Sequence, residues 1–154
     1  MSDVVVKGKI IKLVHDFRNA IELIDSKDFP KELTLSSGKF PKHCCDESVE
    51  LLSTFLQKNN ISNLNSHWGE HGGLKAEIKR HAWLQRCGLI IDITADQFIE
   101  YNFPKVLVTN KSEFHQSFKT INVKHCNYYY REKFKNKKFF SYKKAYSLIL
   151  SKLL

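Results

Sequence analysis

No apolar run in this chain approaches the roughly 18–20 residues that a bilayer crossing requires, which excludes a membrane-spanning helix on sequence grounds. The opening segment, Met1 to Val6, carries Asp3 and too short an apolar stretch for a secretory leader. A cytoplasmic protein is expected, or an effector exported without a cleaved signal. The four cysteines, Cys44, Cys45, Cys87 and Cys126, lack framework spacing, and the adjacent pair could bridge only by straining the backbone. Four reduced thiols in a reducing compartment are therefore expected. Internal repeats, linkers and disordered composition are also missing. The 154 residues read as one domain, 1–154, large enough to enclose a core, with that core in 40–110 and a basic segment over 124–154.

Acidic residues are scarce where basic ones are dense. From Lys124 onward there are nine Lys or Arg against one acid, Glu132, within a net charge of +9. Tyr128-Tyr129-Tyr130 and Phe139-Phe140 interleave aromatic rings with that charge. The Lys124–Lys144 region is thus a candidate surface for an acidic partner or nucleic acid, set against the simpler reading of a solvated basic face.

Ile10, Leu13, Val14, Phe17, Ala20, Ile21 and Ile24 recur at helical spacing, predicting an amphipathic helix over 8–25. A second helix is predicted over 45–58, striped by Val49, Leu52, Phe55 and Leu56 and ended by Asn59-Asn60. Residues 61–68 read as a strand, and Gly69, Gly72 and Gly73 as the break into a mobile loop. Strands are expected at 80–85, 89–94 and 106–108, and a closing helix from Tyr142 to Leu154. The fold class is α+β, with a helix packed on a small antiparallel sheet.

The 80–94 hairpin carries the chemistry. If Gln85 to Gly88 is the connection, His81 lies across from Asp92, Trp83 from Ile90, Ala82 from Ile91 and Leu84 from Leu89. One face is then wholly apolar (Ala82, Leu84, Leu89, Ile91, Ile93) and the other carries His81, Trp83, Ile90, Asp92 and Thr94. A one-residue slip would turn Asp92 into the apolar face, so burial fixes which face it occupies. A carboxylate at that position can hold an imidazole in one tautomer and stabilise its cation. A satisfied structural histidine is the plainer alternative.

Cys45 heads the stripe Val49, Leu52, Leu56 and so points at whatever that helix packs on. A helix N-terminus and a nearby imidazolium both activate a thiol. Asp46 and Glu47 suit the helix dipole but oppose a thiolate, and His81 is expected to offset them. Cys44, at the head of the stripe Ser48, Leu51, Phe55, is the alternative nucleophile; two buried structural cysteines are the bland reading. His67-x-x-x-His71 has ligand spacing with His43, Cys44 and Cys45 nearby, but the glycines argue against a helix there. No metal or cofactor is expected, and His67 to Gly73 is read as a loop gating the site.

His81-Ala82-Trp83, a tight turn and Asp92-Ile93-Thr94 together resemble the H-A-W…D-x-T signature of the transglutaminase-like branch of papain-like cysteine enzymes. The resemblance extends over residues 40–98. With Cys45 as origin, Leu51-Leu52, Phe55-Leu56 and Ile61 match the family's cysteine helix and following strand, and Ile90 to Phe98 is similar to small bacterial and phage members. Two features depart from the pattern: Asp46 directly follows the cysteine, and the His81-to-Asp92 interval is short. The resemblance implies a papain-like fold with Cys45 as nucleophile, His81 as base and Asp92 as orienting acid. It implies a thiol hydrolase or acyl transferase acting on a protein or peptide through a thioester. Gln97 and Trp83 are the candidates for an oxyanion or substrate contact. The competing expectation is a catalytically inactive module of the same fold that binds a polyanion through its basic aromatic end.

Overall fold

The computed structural model describes residues 2–124, 126–134 and 137–153, apart from the side chains of 121–124 and 133–134. Helix α1, Asp3–Glu22, starts earlier than its apolar stripe requires, because Ser2 caps it through the Val5 N–H and Asp3 complements the dipole. Ile10, Val14, Phe17, Ala20 and Ile21 are its buried face. Helix α2, Cys45–Lys58, has the predicted limits. Its stripe of Val49, Leu52, Phe55 and Leu56 is joined in the core by Leu51, so the helix is covered on more than one side. Burying a leucine such as Leu52 stabilises the fold by about 1.5–3 kcal/mol.

Five strands follow: β1 Leu64–Gly72, β2 Ile78–Arg86, β3 Leu89–Asp92, β4 Leu107–Thr109 and β5 Lys119–Lys124. They form one antiparallel sheet in the order β4-β3-β2-β1-β5. A single turn, α3 (Glu113–Gln116), precedes β5, and α4 (Lys137–Ser151) closes the chain. The fold is α+β. Among the described residues no helix is long and apolar enough to cross a membrane.

Two sequence expectations need correction. The β2–β3 connection is two residues, not four: Arg86 pairs with Leu89, and Cys87 and Gly88 form the turn with φ of 47° and 83°. Two successive left-handed residues match the twist of a hairpin, so strand pairing runs further toward the tip than the polar residues suggested. The register therefore moves by two. Leu84 faces Ile91, and Asp92 comes opposite Trp83 with His81 diagonal to it. A shift of two preserves each side chain's face, so the separation of apolar and polar faces stands.

The second correction concerns His67 to Gly73. All but Gly73 is strand: β1 pairs with β2 as far as Gly72 and with β5 from Ser66 to Glu70. Gly69 and Gly72 are there because Phe118 lies on them; a Cβ at Gly69 would meet Phe118 Cβ at 2.6 Å, and one at Gly72 would enter its ring. Glycine in this strand marks close packing rather than flexibility.

The two sheet faces build separate clusters. Ala82, Leu84, Leu89, Ile91 and Ile93 join the main core with α1, α2 and α4. Trp83 and Ile90 join Ile78, Phe114 and Phe118 in a smaller cluster flanked by Phe98, Tyr101 and Phe103. Buried Arg18 ties α1 to the segment after β3, through both Asp96 oxygens (2.9 and 2.8 Å), the carbonyls of Ile93 and Lys105, and Glu22. Its guanidinium also lies over Phe40, in the segment leading to α2.

The closing helix begins at Lys137, ahead of the expected Tyr142, and buries Phe139, Tyr142, Ala145, Tyr146 and Ile149. Lys137, Lys138, Lys143 and Lys144 are exposed, with Lys137 paired to Glu32. Of the remaining basic residues expected in the Lys124–Lys144 surface, Arg131 pairs with Glu50, whereas Lys124 and Lys133 by their side chains and Lys135 altogether lie outside the described residues.

Candidate active site

Asp92 is the last residue of β3, and beyond it the chain turns into the short 3-10 helix Ala95–Gln97. On the neighbouring strand His81 is 0 % exposed, and its Nε2 lies 2.7 Å from Asp92 Oδ2. The pair is diagonal across the hairpin, within the reach of two long side chains on one face. The other carboxylate oxygen, Oδ1, accepts from the Thr94 N–H (2.9 Å) and the Thr94 hydroxyl (3.3 Å). The sequence run Asp92-Ile93-Thr94 thus anchors its own carboxylate.

With Nε2 committed to Asp92, the free ring nitrogen of His81 is Nδ1. It is buried and makes no well-directed hydrogen bond among the described residues. The Cys45 thiol, half-buried at the head of α2, is the neighbour that acts on the ring besides Asp92. Burial works against a charge on His81, but the Asp92 carboxylate, aided by the Cys45 thiol, overcomes it and pushes the imidazole up to about 10. Burial likewise opposes charge on Asp92, and His81 and His115 together hold it far below the usual carboxylate range. The three groups expected from the sequence are brought together, and the carboxylate favours the charged form of the imidazole.

Cys44 is placed differently. It is wholly buried in the main core, its thiol donates to the Lys42 carbonyl at 3.3 Å, and burial pushes it up to about 11. A thiol so placed is a core side chain, and the alternative nucleophile loses its geometric basis. Trp83, expected as an oxyanion or substrate contact, is 2 % exposed. Its ring instead supports three imidazoles, at centroid distances of 5.8 Å to His81, 6.0 Å to His67 and 4.9 Å to His115. Gln97 donates from Nε2 to the Thr94 carbonyl (2.9 Å) and accepts at Oε1 from the His43 N–H (3.4 Å). It staples the segment after Asp92 to the residues just ahead of Cys45, which leaves one Nε2 hydrogen for a substrate oxygen.

Sequence reasoning missed His115. Its Nε2 lies 2.7 Å from the same Asp92 Oδ2, and its Nδ1 lies 2.6 Å from Ser112 Oγ. The signal that could have found it is Ser112-x-x-His115, a helix cap whose third following residue can reach back to the cap. Among the described residues His81, Asp92 and His115 form the cluster that could hold a metal. Two ligands bound at about 2.0–2.1 Å on a tetrahedral zinc sit about 3.3 Å apart. The observed 2.7 Å contacts are charge-assisted hydrogen bonds instead. His67 and His71 take no part in that cluster: His67 packs on Trp83 and His71 is exposed.

A cleft of about 400 Å³ adjoins the head of α2. His43 and Asp46, on either side of the cysteine in sequence, line it with Trp68, Arg80, Glu50 and Arg131. Arg80 both pairs with Asp46 (2.7 Å) and covers the Trp68 ring, so the cleft wall at Asp46 is fixed by stacking as well as charge. Comparison of the chain with known protein families, curated proteins and solved structures finds no match.

Proposed function

We propose that this chain is a cysteine-dependent amide or peptide hydrolase, or an acyl transferase, of the papain-like, transglutaminase-like kind. The observation that carries the reading is the arrangement of one buried imidazole, with Nε2 on a carboxylate and Nδ1 left for a half-buried thiol at a helix head. A structural histidine needs the carboxylate. It has no use for an adjacent, half-buried cysteine at a helix head.

In this mechanism the Cys45 thiolate attacks the acyl carbon of an amide held in the neighbouring cleft. Backbone N–H groups at the head of α2, which have no partner within the helix, stabilise the developing oxyanion. Collapse breaks the carbon–nitrogen bond, His81 Nδ1 gives its proton to the departing amine, and a thioester remains on Cys45. Water or a second amine then attacks the thioester carbon and loses a proton to His81, and the carbon–sulfur bond breaks to restore the thiolate. Asp92 keeps the ring oriented throughout and stays ionised.

Exposed Phe140, beside Lys137 and Lys144 on α4, supports a second reading as a polyanion-binding module without chemistry. One experiment separates the two. On brief exposure to iodoacetamide at neutral pH, the enzyme reading expects mass spectrometry to find the adduct on Cys45 well before Cys44, Cys87 or Cys126. Cys45→Ala then loses about 10³-fold or more of any amide-cleaving activity, while Cys44→Ala keeps it. Slow labelling spread over all four thiols contradicts the enzyme and leaves the binding module.

A further inference from the structure

We propose that His115 is a positioning residue of this site, one that holds Asp92 and shares its negative charge with His81. The inference rests on the reading of Cys45, His81 and Asp92 as the reacting groups, and it assigns work to a residue outside them.

Hydrogen bonds hold both ring nitrogens of His115. Ser112 Oγ accepts from the His115 backbone N–H at 3.2 Å, so its own proton is free to point to His115 Nδ1 at 2.6 Å. An ionised carboxylate can only accept, so a ring proton sits on Nε2, directed at Asp92 Oδ2, while Nδ1 meets the Ser112 hydroxyl. His115 is thus a hydrogen-bond donor to the carboxylate. The ring is kept in that pose by edge contacts with Trp83 at 4.9 Å and Phe114 at 5.1 Å.

Asp92 therefore has a full set of donors: two imidazole N–H groups on Oδ2, and the Thr94 amide and hydroxyl on Oδ1. A carboxylate with donors on both oxygens is a poor base even when buried. That matters because His81 has two opposite tasks, giving a proton to the leaving amine and taking one from the attacking nucleophile. A carboxylate bonded to His81 alone would bind the shared proton too tightly for the second task. The titratable groups facing the pair are His115 from α3 and Cys45 from α2; among the described residues no Lys or Arg forms an ion pair with Asp92.

The test compares His115→Phe, which keeps an aromatic ring in the cluster, with His115→Gln, whose amide can donate to Asp92 and accept from Ser112. His115→Leu stands in if the Phe variant does not fold. The ring signals of His81, followed by NMR against pH, report on the pair whether or not Cys45 reacts. Losing a donor to an anion raises the proton affinity of the whole pair, so the His81 transition should move up by about one pH unit in the Phe variant and stay within about 0.3 in the Gln variant. Release of an acyl group from Cys45 should slow by up to about tenfold at neutral pH in the Phe variant alone, for the same reason. An unmoved His81 transition in a folded Phe or Leu variant overturns the proposal, as does an equal shift in the Gln variant. Failure of Cys45 to accept an acyl group in the parent protein counts against the enzyme reading instead, and the NMR result still decides the role of His115.

Discussion

The two faces of the sheet use the same strands for different ends. On one face Ala82, Leu84, Ile91 and Ile93 are small or aliphatic and meet the α2 stripe. On the other, His81 sits among Trp83, Phe98, Phe114 and Phe118, with ring centroids 4.9–6.3 Å away. The aliphatic face can hold a helix but offers no group to orient an imidazole. The aromatic face excludes water and leaves only directed hydrogen bonds to fix the rings, which is what a buried ionised pair needs. Strand alternation thus separates stability from chemistry within a single hairpin.

The largest effect that would break this comparison lies on the aliphatic side. Leu52→Ala should cost about 2–5 kcal/mol of unfolding free energy in denaturant titration, yet leave the rate of Cys45 labelling in the still-folded fraction nearly unchanged. A loss of labelling that tracks the loss of stability would mean the faces are not separable.

A smaller effect sharpens the other side. His81 is raised in the fold, so its contribution to stability is fully present below the ordinary imidazole value of 6.5 and is lost as pH rises through about 10. Asp92 is lowered, so its contribution is present above the ordinary 3.8 and is lost only as pH falls far below that. Between about pH 6.5 and 10 the melting temperature of the parent protein should therefore fall toward that of His81→Gln, by about 2–4 °C for each kcal/mol of pairing lost. Parallel melting curves across that range would deny the buried ion pair.

Much of this site was legible in the sequence because burial is periodic. The limits of α2 followed from its stripe and from Asn59, and the face of Asp92 followed from the apolar run opposite it. Register was misread because Cys87, a non-glycine residue, takes a left-handed conformation that its identity does not announce. Gly69 and Gly72 were misread because the reason for them, Phe118, lies far along the chain. The turn that holds His115 and the edge strand Lys119–Lys124 are short, and the strand takes its place in the sheet by pairing with β1. No local pattern encodes such contacts. For His115 the sequence offers the Ser112 cap as a local signal, but its contact with Asp92 comes only from the fold.

The account depends most on the coupling between the Cys45 thiol and the His81 ring. It is tested most directly by the pH dependence of Cys45 alkylation in the parent protein and in His81→Gln. At neutral pH the parent should react about tenfold faster or more than His81→Gln, because the imidazole facing the sulfur assists its attack. Superimposable rate profiles for the two proteins would contradict it.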